Sequence, residues 1–154
     1  MKLFFLFILF SFGCSGQEYR LIEVNKESGL NKVRLGHTDY YIRIPNTFEV
    51  TENHGKEGQI GYGIDSKGTS SNSYGFIEID LGQRTSDRSD DWGIIKEKVQ
   101  SNLLGRQTTW KIYQTETGYW GAIALQGKIY ARVSSKNKNE IDSLISIIST
   151  LSKN

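Results

Sequence analysis

Cysteine, proline and histidine are almost missing: in 154 residues there are one cysteine, one proline and two histidines. A lone cysteine rules out a disulfide within the chain, so Cys14 cannot belong to the cross-linked framework of many small exported domains. The lone proline, Pro45, has no N–H for a ladder and marks the end of a strand where it falls. His37 and His54, both in polar stretches, are too few for a zinc site and lie in no nucleophile motif, so they read as solvated loop residues. An excess of one charge is missing too. Nineteen basic side chains face 17 acidic ones, and without Lys2 the balance is 18 to 17. A nucleic-acid partner normally needs a basic face, so none is expected.

Apolar runs are also short. Leu3 to Phe12 is an uncharged stretch of ten residues behind Met1-Lys2, well below the roughly 20 needed to span a bilayer, and it has the form of a signal-peptide core. It leads into Ser11-Phe12-Gly13-Cys14, which resembles the bacterial lipobox: small residues at the first and third places and cysteine at the fourth. The resemblance implies a diacylglyceryl group on the Cys14 thiol and cleavage just before Cys14. It departs from the usual pattern at Ser11, where leucine is common, and at the bulky Phe12. The same residues also fit the small-x-small site of the general signal peptidase. At about 0.8 kcal/mol per buried CH₂, two or three acyl chains make attachment effectively permanent. Ser15, in place of an aspartate directly after the cysteine, points to the outer membrane of a Gram-negative cell envelope. The chain therefore divides into a leader at 1–13, an acylated cysteine and tether at 14–31, and one domain at 32–154, expected to be monomeric.

Tyr19 to Val24 reads as a short strand or part of the tether. Within the domain, Lys32–Leu35 and Asp39–Ile44 form a hairpin by alternation around Gly36-His37-Thr38. Strands are expected at Phe48–Thr51, Gln59–Ile64, Tyr74–Leu81, Thr108–Gln114, Tyr119–Gln126 and Lys128–Ser134. A helix capped at Ser89 or Asp90 would carry Trp92, Ile95, Val99 and Leu103 on one stripe and stop at Gly105. A second helix, capped at Asn137 or Asn139, carries Ile141, Leu144, Ile145, Ile148 and Leu151. The expected fold is α+β: a mainly antiparallel sheet of about six to seven strands with two packed helices. The segments "YYIRIPNTFEV", "GKIYARVSS" and "NEIDSLISIISTL", with the middle helix, resemble the PsbP/Mog1-like domains of small bacterial lipoproteins. That resemblance implies a sandwich fold and a non-enzymatic binding or assembly role, some related lipoproteins neutralising toxins. It carries no catalytic set.

Chemistry is sparse. Asp87, Asp90 and Asp91 suggest calcium, but an EF-hand loop starting at Asp87 would place Trp92 where glycine is required, so they read as helix-capping acids. Gly58, Gly61 and Gly63 lack phosphate-loop spacing and precede no helix; they read as places of bulge or close backbone approach. Glu78 and Asp80 alternate with Ile77, Ile79 and Leu81 and read as the solvent face of a strand rather than a catalytic pair. No metal or other cofactor is expected. Tyr62, Tyr74, Trp110, Tyr119 and Trp120 are the candidate binding residues, because tyrosine and tryptophan supply large contact area at small entropic cost, although the same rings suit a half-buried sheet. The functional expectation is a membrane-anchored, non-enzymatic factor that binds another envelope or secreted protein, for example as an immunity protein against a secreted toxin; the alternative is a small-ligand or glycan-binding lipoprotein using the Tyr/Trp surface.

Overall fold

Period-two alternation broken by glycine-bearing turns builds most of this chain. The computed structural model describes residues 19–24, 26, 29–54, 60–68, 73–79 and 93–154; the leader, Cys14 and the acids at 87–91 lie outside them. In chain order the elements are β1 (Arg20–Leu21), β2 (Asn31–Arg34), β3 (Tyr40–Ile44), β4 (Phe48–His54), β5 (Ile60–Ser66), β6 (Ser73–Ile79), β7 (Ile94–Leu103), β8 (Arg106–Gln114), β9 (Trp120–Gln126), β10 (Ile129–Ser135), α1 (Lys138–Ile148) and β11 (Ser152–Lys153). Eight strands form one sheet in the order β1-β7-β8-β9-β10-β6-β5-β4, and β11-β3-β2 form a second. All pairs are antiparallel except β1 with β7, which is parallel.

The final helix has the expected stripe: Ile141, Leu144, Ile145 and Ile148 are buried, and the Asn137 side chain accepts the Asn139 N–H to cap its start. α1 touches β6, β7, β9 and β10 of the large sheet and β3 of the small one. One apolar core joins them, with Leu35, Ile42, Ile64, Ile77, Trp110 and Val133 among its members. Four residues of another cluster, Tyr113, Ile123, Tyr130 and Leu125, lie apart from that core.

The expectation of an α+β fold with two packed helices is overturned. Among the described residues there are eleven strands and one helix, so the architecture is mostly β. The expected middle helix is the ten-residue strand β7. The spacing that suggested it is ambiguous: Ile95, Val99 and Leu103 recur every four residues, which is one helical turn and also two strand repeats. Tertiary pairing decides the matter. Val99 lies opposite Trp110, and Ser101 opposite Thr108, so Val99, Ser101 and Leu103 are buried while Lys98 and Asn102 are exposed. A register shift between Ile95 and Glu97 further breaks any simple repeat. Gly105, read as a helix stop, is instead half of a two-residue hairpin turn: Leu104 has φ 53° and Gly105 φ 73°, and two positive values match the turn to the twist of the flanking strands. Gly127-Lys128 joins β9 to β10 by another two-residue turn, here with a positive φ only at its first position, Gly127 at 60°.

Register aligns one end of the large sheet into a single row. Ile94 pairs with Gln114, Gln114 with Trp120, Trp120 with Ser135, and Ser135 with Ser73. The turns at 104–105 and 127–128 lie at the other end.

Candidate functional site

At the row end, the start of α1 is tied to the sheet by hydroxyls. Ser135 Oγ accepts the Asn137 N–H at 2.9 Å and donates to Glu140 Oε2 at 2.5 Å. Ser73 Oγ donates to the same carboxylate oxygen, with its own oxygen 3.0 Å from that of Ser135. Glu140 is acidic in the first turn, where the helix dipole favours it. The Ser135 bond, and then the Ser73 bond, hold its carboxyl below the ordinary glutamate range. An acceptor stabilised as the anion is a poor general base. These serines act as ties for α1, and no histidine joins them.

A second set of ties holds residues 19–24 beside α1 and β7. The Arg20 guanidinium bonds Glu97 Oε1 at 2.8 Å and Asp142 Oδ2 at 2.5 Å, and Lys138 reaches the other Glu97 oxygen at 3.3 Å. Ile22 N–H donates to the Gln100 carbonyl at 2.7 Å, and Ser146 Oγ donates to the Glu23 carbonyl at 2.7 Å. Between this segment, α1 and the start of β4 lies a cavity of about 970 Å³. Ile22, Val24, Phe48, Leu144 and Ile147 give it an apolar side, while Ser66, Ser73, Ser135, Asn137, Ser143 and Glu140 give it a polar one. Its lining takes charge of both signs from Glu23, Asp142 and Lys136. Such a mixture suits an amphipathic molecule: apolar area for affinity and a few polar groups for orientation.

The five aromatic residues chosen from sequence do not converge. Trp110 is fully buried and its Nε1–H donates to Ser101 Oγ at 2.9 Å; Tyr62 is buried too. Both belong to the core, because the inward positions of β8 and β5 face α1 and the small sheet. Tyr74 is half-buried and stacks on Phe76 with centroids 6.1 Å apart. Tyr119 and Trp120 are neighbours in the chain at the row end and half-buried, Trp120 packed against the core; Lys136 and Lys138 lie over the respective rings, their ammonium groups 5.4 and 5.2 Å away.

Two of the glycines serve close approach by rings. A methyl group at Gly61 would overlap the Phe76 ring, and one at Gly121 would overlap Tyr113. Rings laid flat over glycine explain how Tyr113 becomes buried, and burial pushes its hydroxyl up to about 12. Glu78 is buried, not solvent-facing as expected, because β6 is an interior strand and Glu78 lies opposite Tyr130 and Gly61; Asp80 is outside the described residues. His37 and His54 are exposed, and His54 sits 3.1 Å from Glu52 on β4. Among the described residues no three His, Cys, Asp or Glu side chains gather as metal ligands, and no helix is long and apolar enough to cross a membrane.

The cavity escapes sequence reading because its walls come from segments far apart in the chain. One local signal was available: Asn137-x-x-Glu140 has capping-box spacing, which marks the start of α1 and hence the polar side of the cavity. No protein-family model matches the chain, and no curated protein matches it.

Proposed function

We propose that this chain is a lipid-anchored protein of the cell envelope, in the outer membrane of a Gram-negative cell, that binds a small amphipathic molecule in the cavity beside α1 and performs no catalysis. The cavity carries the reading. Its volume of about 970 Å³ lies at the upper end of the range of about 300–1,000 Å³ typical of small-molecule sites, and its lining is apolar on one side and hydroxyl-rich on the other. The alternative built on a Tyr/Trp surface has less support, since Tyr62 and Trp110 are in the core. Native mass spectrometry of protein purified from envelopes tests the cavity. A bound small molecule is expected in the wild type and lost in Ile147→Trp, which fills the apolar side; identical spectra without adduct would refute it. The anchor is tested by metabolic labelling with a fatty-acid analogue. Wild type takes the label and Cys14→Ala does not.

A protein partner, such as a toxin met by an immunity factor, is the second reading. It is favoured by β4, which among the described residues ends the large sheet and offers a strand edge for pairing. Its own residues Glu49 and Glu52 are exposed. Envelope pull-downs with wild type and with a proline at Thr51 separate the readings: only a strand-adding partner is lost with the proline.

A further inference from the structure

We infer that the row end of the large sheet lies against the bilayer surface, with Tyr119, Trp120 and Ile94 at the lipid headgroups; the inference rests on the reading that Cys14 is acylated. Chain direction comes first. β1 is parallel to β7, with Arg20 opposite Val99 and Leu21 opposite Gln100. Going back from Arg20 towards Cys14, the chain therefore heads for Ile94, the row end of β7. From Arg20 to Cys14 there are six steps, at most about 20 Å when fully extended. The five residues from Val99 back to Ile94 cover about 17 Å. An extended tether thus brings the acyl chains just past the row. Leu103 at the opposite end is only four residues, about 14 Å, from Val99, so it is the direction of β1, and not the length of the tether, that selects the row end.

The chemistry of the row agrees with that placement. Tyr119 and Trp120 are half-buried beneath Lys136 and Lys138, Trp120 resting with part of its ring on the core, and the exposed parts of such rings with lysines beside them suit the boundary between headgroups and water. Ile94 is 68% exposed, more than Leu21 and Ile60, the other exposed large apolar residues among those described. Charge is not the attraction. Among the described residues beside the row, Lys96, Lys136 and Lys138 are accompanied by Glu97, Glu116 and Glu140. The anchor brings the surface to the membrane, and neutral headgroups suffice.

The single thiol permits a direct test. The mature chain starting at Cys14 is coupled through that thiol to a maleimide lipid in zwitterionic vesicles, and backbone hydrogen exchange is compared with the uncoupled chain. Segments 93–96 and 115–120 are expected to exchange several-fold more slowly on the vesicle, with turns 104–105 and 127–128 unchanged. The same pattern is expected on vesicles containing anionic lipid. Protection at 104–105 and 127–128, or at no segment, would overturn the placement. Because the lipid is attached chemically, this result is independent of cellular acylation: an unlabelled Cys14 in cells would overturn the anchor, and protection at the wrong end would overturn the orientation.

Discussion

At Trp110, three side chains form a buried polar chain through the core. The indole N–H donates to Ser101 Oγ, and Ser101 Oγ lies 2.7 Å from Ser149 Oγ, the C-cap residue of α1. This joins β8, β7 and the helix end. Ser101→Ala would leave the indole donor unsatisfied in a dry site, so a loss of about 1–3 kcal/mol is expected in urea unfolding, against under about 0.5 for Thr109→Ala on an exposed position of β8. Acid sensitivity also starts with single residues. Bonds from Arg20 and then Lys138 hold Glu97 below its ordinary range, as those from Ser135 and Ser73 do for Glu140. A lowered carboxyl stabilises the fold when ionised, and that contribution disappears as pH falls through the folded-state value. Asp65 acts in the opposite sense, since burial and then Glu49 raise it. The urea midpoint should therefore decline as pH drops below about 4.5, and Glu97→Gln/Glu140→Gln should flatten that decline. Residue choice explains why the aromatic set was not legible: tyrosine and tryptophan suit a core, a flat sheet face and a surface equally, and only neighbours distinguish Trp110 over Ser101 from Trp120 under Lys138.

Elements show the same division between local and tertiary signals. The β2–β3 and β9–β10 hairpins and α1 were legible because each repeats with one period and is bounded by its own turn or cap. β7 was not, since a four-residue spacing serves a helix and a strand alike until β8 is placed beside it. The β7–β8 turn explains how a leucine tolerates the left-handed region: Leu104 packs against the core, while the conformational burden at the next position falls on Gly105, which has open space around it. Gly105→Ala is therefore expected to cost about 1–2 kcal/mol from backbone strain alone, without a steric clash. Thermal unfolding of that variant beside Gly68→Ala, at φ 75° with equally open surroundings, checks the estimate, and a much larger loss at 105 would show that the hairpin turn is needed for pairing.

Across the whole molecule, residues 19–24 are part of the fold. Arg20 alone connects β1 to both β7 and α1. Exposed ion pairs contribute little to global stability, about 0–1 kcal/mol each, so Arg20→Ala should leave the unfolding midpoint almost unchanged. Its effect should be local: faster amide exchange at Ile22, whose N–H is bonded to Gln100, with β8 to β10 unaffected. Serines 66, 73 and 135 line the cavity at the same end as Trp120, so a domain oriented by its anchor would present that cavity near the lipid surface. The parallel pairing of β1 has one more consequence, which is mechanical. Tension drawn through an N-terminal anchor runs along β1 itself, so the backbone bonds to β7 and the Arg20 ion pairs resist together in shear instead of opening one after another. A pull on the N-terminus would be shared between the sheet and the helix.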